Sequence, residues 1–159
     1  MFNETQRFTQ WWLWLILVGV WASMIYSFVT APAQTGIAAF LSFGIGILLP
    51  LLFWQMKLTT RITQEGIYVR FFPFHFKEKF FAWETITFSY VRTYSPLMEY
   101  GGWGIKYSFK GNGLVYNTAG NVGLQLYFTE GEPVLIGTQK GEEIKQVLAA
   151  LGHLTESVK

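Results

Sequence analysis

The sequence predicts an α+β membrane protein: an N-terminal two-helix transmembrane hairpin, then a roughly seven-stranded antiparallel bent sheet or barrel, capped by a C-terminal α-helix. Three observations predict it. Between Arg7 and Lys57 there is no Lys, Arg, Asp, Glu or His. From Lys57 onward, short β-type runs alternate with glycine turns. Near the C-terminus the apolar spacing changes from the strand period to the helical one.

A helix needs about 20 mostly apolar residues to cross the hydrocarbon core. Residues 8–29 supply 22 and residues 36–56 supply 21. Between them, Thr30-Ala31-Pro32-Ala33-Gln34-Thr35 is a short, proline-bearing stretch suited to a turn between antiparallel helices. Residues 1–56 therefore read as a hairpin. Arg7 precedes the first helix, Lys57 and Arg61 follow the second, and the connection carries no charge, so both termini are expected in the cytoplasm. Trp11, Trp12, Trp14 and Trp54 then fall at one interface, where indole rings are favoured. Ala31-Pro32-Ala33 also resembles a signal-peptidase site. The apolar stretch is longer than a signal core, however, and a retained anchor is expected.

Small residues recur every four positions: Gly19, Ser23 and Ser27 on the first helix, Ala38, Ser42 and Gly46 on the second. Close backbone approach at such residues is how membrane helices pack, so the two stripes are expected to face each other. Pro50 is a candidate kink in the second helix.

The remainder, residues 57–152, reads as a separate domain. Residues 58–63 and 67–72, joined by Gln64-Glu65-Gly66, form a hairpin pattern. Further strands are expected at 86–93, 104–109, 114–117, 123–129 and 133–137, divided by turns whose Gly and Asn tolerate positive φ. Ile144, Val147, Leu148 and Leu151 mark an amphipathic helix over about 141–151, with Glu142 and Glu143 in its first turn. Residues 153–159 read as a polar tail that frays.

The order Trp83-Glu84-Thr85-Ile86, Tyr100-Gly101-Gly102-Trp103-Gly104-Ile105, Gly120-Asn121-Val122-Gly123-Leu124-Gln125-Leu126 and Leu135-Ile136-Gly137-Thr138-Gln139, behind a two-helix anchor, resembles bacterial membrane proteins with a pleckstrin-homology-like (PH-like) domain. The resemblance implies a seven-stranded bent sheet closed at one end by the last helix, at a bacterial inner membrane. Similar domains that bind phosphoinositides use a basic loop between their first two strands. Here that connection is short and acidic, so such binding is not expected.

Composition narrows the chemistry. From Lys57 onward, eleven Lys plus Arg face nine Glu, without the basic excess of nucleic-acid binders. Cysteine and aspartate are absent, which excludes disulfides, thiolate metal sites and an aspartate-oriented histidine. His75 and His153 are too few for a metal site, and no cofactor is expected. The glycines at 101–104 precede a strand, not the helix that a nucleotide loop requires. Glu84 and Glu99 are conceivable acid–base residues with no activated nucleophile beside them. Ser89, Ser95 and Ser108 lack a nucleophile-elbow context. An enzyme is not expected.

The most informative segment is residues 71–83, with Phe72, Phe74, Phe76, Lys77 and Lys79. Strand alternation sends Phe72, Phe74 and Phe76 opposite Ile67, Val69 and Phe71, so one core does not bury them all. Three fates stay open: packing after a bulge at Pro73, a protein or homo-oligomer interface, or contact with anionic lipid headgroups. Leu97 and Met98 are expected to extend the same surface. The functional expectation is a membrane-anchored cytoplasmic interaction module. The alternative is an accessory subunit of a larger membrane complex.

Overall fold

A computed structural model describes residues 1–30 and 36–155; of Ala38 and Ala39 the side chains are not described. The expected turn at 31–35, its Ala31-Pro32-Ala33 motif and the last four residues of the tail lie outside the described residues. The chain divides into two compact units, one of Met1–Arg7 with the chain from Lys57 onward and one of Phe8–Met56.

The β unit is α+β, with two sheets and a C-terminal helix. The first sheet has the order β1-β2-β3-β4, formed by Phe2–Arg7, Lys57–Ile62, Gly66–Phe72 and Lys79–Ala82, all antiparallel. A 3-10 turn at Trp83–Thr85 leads into the second sheet. Its order is β5-β8-β9-β7-β6, from Ile86–Thr93, Val122–Phe128, Val134–Thr138, Leu114–Asn117 and Gly104–Tyr107. The described residues thus hold nine strands where the sequence suggested about seven.

Not all pairs are antiparallel. β8 and β9 form a hairpin, and β9 inserts between β8 and β7. It therefore runs antiparallel to β8 and parallel to β7. Gly113 makes the entry to β7 possible: its φ is +72°, and a Cβ there would lie 1.8 Å from the Pro133 carbonyl oxygen. Only glycine fits such an approach.

The strand before the first helix was not expected. β1 alternates inward and outward, but two of its inward residues are Glu4 and Gln6 rather than apolar side chains. They are satisfied by the other sheet, as buried polar groups must be. Glu4 accepts from Thr138 Oγ1 at 2.6 Å and from the Gln139 N–H at 2.9 Å. Gln6 Nε2 donates to the Gly137 carbonyl at 2.7 Å, and Thr118 Oγ1 donates to Gln6 Oε1. β1 is thereby paired to β2 along its length and bonded through side chains to the second sheet. In register, Arg7 faces Lys57 and Lys57 faces Phe72, so these three residues mark one end of the first sheet.

Apolar residues of both sheets are fully buried, among them Leu58, Ile67, Val69, Phe71, Leu124, Leu126 and Ile136. α4, Gly141–Leu151, packs on β1, β5 and β8 through an apolar stripe that includes the buried Ile144 and Leu148. Residues 153–155 bond to β5. The Ser89 hydroxyl donates to the His153 carbonyl, and Thr155 N–H donates to the Ser89 carbonyl at 2.9 Å. His153 stacks on Trp83 with centroids 4.1 Å apart. A polar tail is held here because its backbone completes hydrogen bonds at the edge strand β5.

In the other unit, α1 (Trp11–Thr30) is long and apolar enough to cross a bilayer and buries none of its residues. α2 (Ile37–Gln55) continues through Pro50, and its apolar stretch Phe40–Gln55 is shorter. The helices meet differently from the expectation of facing small-residue stripes. Trp21 Nε1 donates to the Gly46 carbonyl at 2.8 Å, while Trp21 and Phe28 meet Phe43 edge to face. Gly46 lies in the seam, with Met24 against it. Gly19, Ser23, Ser27 and Ser42 are exposed, and the side chain of Ala38 is not described. Large rings fill the seam and Gly46 admits them.

Replacing Glu4 by Ala leaves the Thr138 hydroxyl and the Gln139 N–H without their acceptor. We expect a loss of about 1–3 kcal/mol in denaturant unfolding of the full chain, typical of buried groups deprived of a partner. Thr5→Ala, on the exposed face of the same strand, is expected to stay within about 0.5 kcal/mol of the parent.

Candidate interaction surface

β3 ends at Phe72 because Pro73 offers no N–H to continue the ladder. A turn follows, and the chain returns as β4, with Lys79 opposite Val69. The register shift that would have hidden the rings does not occur. Phe72 is half-buried on the outer face, with the Lys57 ammonium 5.7 Å from its centroid and Phe76 edge-on at 6.3 Å. Phe74 packs against Phe71 on one side and remains 57% exposed; Phe76 is 81% exposed. Lys77 is exposed.

Lys79 is exposed, and its Nζ donates to Tyr116 Oη at 2.8 Å. The His75 ring lies edge-on to the Tyr116 ring, and the His75 backbone N–H donates to the Phe71 carbonyl. Burial, with Lys79 nearby, pushes its imidazole below the ordinary histidine range, so it is neutral near pH 7. The loop's carboxylate is paired: Glu78 accepts from Arg61 of β2 at 2.8 Å, and the Arg61 guanidinium lies 4.5 Å from the Tyr68 centroid. Phe80, in the same segment, is 47% exposed and lies 4.5 Å from the Tyr68 ring, tilted by 32°.

Leu97 and Met98 are exposed on α3, Pro96–Tyr100, a short helix in place of the expected loop. Ser95 caps its start and Gly101 ends it in the left-handed conformation. No hydrogen bond or ring contact described here joins these residues to the 72–79 segment. The ring of Phe109, 79% exposed, lies against Gly101 at the end of α3. Phe109 was missed because it closes a strand pattern that otherwise points to the sheet. The Trp residues are exposed at Trp11, Trp12 and Trp54 and half-buried at Trp14.

Beneath α3 is a polar cluster. Arg92 holds Glu99 through two nitrogens, at 2.8 and 3.3 Å, and also donates to Gln125 Oε1 at 3.0 Å. The Ser95 N–H and Asn112 Nδ2 complete the carboxylate's partners. Burial alone would raise the Glu99 pKa, but these hydrogen bonds and the Arg92 charge outweigh it and hold the carboxyl below the usual range. Burial pushes the Tyr94 hydroxyl up to about 12, against the lowering effect of the hydrogen bond that Asn117 Nδ2 donates to it. Glu99 thus stays ionised and fully engaged, which suits a structural anchor and not a proton donor. The serines are occupied as well: Ser89 on the C-terminal strap, Ser95 at the cap, and Ser108 Oγ on the Glu99 carbonyl.

No family model, curated protein or solved structure matches this chain. Among the described residues, no group of three His, Cys, Asp or Glu lies close enough to hold a metal ion.

The Glu99 carboxyl binds its proton less tightly folded than unfolded. Its contribution to stability is therefore present above the ordinary value of 4.5 and lost as pH falls through the lower folded value. Unfolding midpoints of the full chain from pH 7 to pH 3 are expected to drop below about pH 4.5. Glu99→Gln is expected to lower stability at pH 7 by about 1–3 kcal/mol and to flatten that acid limb. An unchanged acid limb would remove Glu99 from the account.

Proposed function

We propose that this chain is a membrane-anchored, non-catalytic interaction module, in which residues 8–56 embed as a returning two-helix hairpin. The two-sheet unit is then held at the cytoplasmic face, where it docks a protein or membrane surface. The observation that carries this reading is the pairing of β1 with β2. Arg7 and Lys57 are cross-strand neighbours, so the apolar segment leaves and re-enters the β unit at adjacent strand ends. A segment with both ends on one side cannot cross the bilayer once. If α1 crosses, α2 must bring the chain back. Its 19 residues reach about 28 Å at 1.5 Å per residue, close to the ~30 Å hydrocarbon core.

Other features agree. An apolar helix such as α1, which leaves most of its residues exposed, is untenable in water and at home in lipid. Arg7, Lys57 and Arg61 flank the segment on one side, which favours the cytoplasm. The pleckstrin-homology-like reading of the β unit draws support from two sheets with a C-terminal helix. The extra strand β1 and the parallel β7–β9 pair depart from that pattern. The absence of catalysis is favoured by the structural engagement of Glu99, His153 and the serines already described.

The chain has no cysteine, so single cysteines report topology cleanly. In intact cells, a membrane-impermeant maleimide is expected to label Gln34→Cys but to reach Lys110→Cys only after permeabilisation. Equal labelling of both sites before permeabilisation would contradict the hairpin.

One observation favours the accessory-subunit reading. Gly19, Ser23 and Ser27 lie exposed on α1, outside the seam with α2, and small residues of this kind let a further span pack closely. Sizing after mild solubilisation is expected to give a particle larger than the monomer if that face is used. A lone monomer would discard this second reading.

A further inference from the structure

The β3–β4 loop carries Phe74, Phe76 and Lys77 beyond the sheet end marked by Arg7, Lys57 and Phe72. We infer that this loop rests on the bilayer surface, with Phe74 and Phe76 in the interfacial layer and Lys77 beside anionic lipid headgroups. The inference rests on the reading that residues 8–56 are embedded, and adds to it a contact surface and a lipid class.

Position is the first argument. Only Met56 separates α2 from β2, and three residues separate β1 from α1. An extended chain covers at most ~3.6 Å per residue, so the sheet end bearing the loop is tied closely to the ends of both apolar helices. The opposite end, with the turn at residues 63–65, is a strand length away.

Chemistry is the second. Phe74 and Phe76 are the exposed rings of the loop itself, and aromatic side chains beside basic ones suit the boundary between headgroups and acyl chains. Trp11, Trp12 and Trp54 stand at the corresponding ends of α1 and α2, where such rings anchor an interface.

Charge is the third. Arg7, Lys57 and Lys77 lie at this end or in its loop; Lys79 is engaged by Tyr116, and the loop's carboxylate, Glu78, is engaged by Arg61. Glu65 and Glu84 belong to the other end, beside the β2–β3 turn and after β4. The sheet end at the membrane-entering strands is thus cationic, whereas at the other end Glu65 has Arg61 beside it. An anionic leaflet attracts the cationic end. A protein ligand for the same rings would require neither this placement nor this polarity.

The test uses the full chain, one copy per lipid nanodisc, with a nitroxide on Phe76→Cys or, as the distal reference, on Glu65→Cys. Collisions with dissolved oxygen and with a water-soluble nickel complex report depth. In discs containing phosphatidylglycerol, label 76 is expected to be oxygen-accessible and nickel-protected, and label 65 the reverse. Lys77→Gln is expected to shift the balance of lipid-contacting to water-exposed label 76 about fivefold toward water in those discs. In discs of phosphatidylcholine alone, the same substitution is expected to have little effect. Label 76 as open to nickel as label 65, in protein that has entered the disc, would overturn this inference and leave the anchoring reading intact. Protection seen only with two copies per disc would overturn it in favour of a self-interface. A chain that fails to enter the disc would overturn both.

Discussion

The rest of the structure depends on the backbone ladder between β1 and β2. Six residues before the apolar segment pair with six after it, from Phe2 opposite Ile62 to Arg7 opposite Lys57. That pairing closes some 50 residues into a loop whose ends are neighbours, at an entropic cost that grows only slowly with loop length. It also ties the two sheets. Glu4 and Gln6 reach Thr138, Gln139 and Gly137 of the second sheet and its following turn, so the β unit is incomplete without the strand that precedes the first helix. Synthesis imposes an order: β1 is made first and has no partner until β2 emerges after both apolar helices.

Two kinds of polar group hold the β unit together. Glu4 is buried and saturated by a hydroxyl and a backbone N–H. Glu99 is partly buried and saturated by Arg92, the Ser95 N–H and Asn112. Both carboxylates act as fixed acceptors whose removal orphans several donors, the situation in which a polar substitution costs most. The histidines are used for their rings, His153 stacked on Trp83 and His75 set against Tyr116. Chemistry that a sequence search would test for catalysis is spent on connecting elements.

What was legible in the sequence was whatever local periodicity encodes. The hairpin of β2 and β3, strand β5 and helix α4 fall where alternation and the helical stripe put them. β1 was illegible because Glu4 and Gln6 occupy inward positions that pattern reading assigns to apolar residues. β4 was hidden in a run of phenylalanines and lysines with no alternation. The parallel β7–β9 pair is a choice of neighbour, which no local signal carries. At the candidate surface, the exposure of Phe74 and Phe76 followed from counting faces, although the cause is a strand that stops at Phe72 rather than one that continues. Lys79 is exposed as expected, but its partner, Tyr116, lies 37 positions away and no local signal announces it. In the helix pair, rings from Trp21, Phe28 and Phe43 meet at the seam together with Gly46, a packing of large residues that a small-residue spacing does not announce.

The ladder itself is open to direct measurement in the cysteine-free chain. Thr5 and Thr59 are cross-strand partners on the outward face, and the Cα separation of such partners lies within disulfide range. With cysteines at both positions, mild oxidation of the full chain in native membranes should link them rapidly, whereas a Thr5→Cys, Arg61→Cys pair, two residues out of register, should link poorly. If the in-register pair formed no bond, or formed one no faster than the offset pair, β1 would not be seated on β2, and the returning path of the apolar segment would lose its basis.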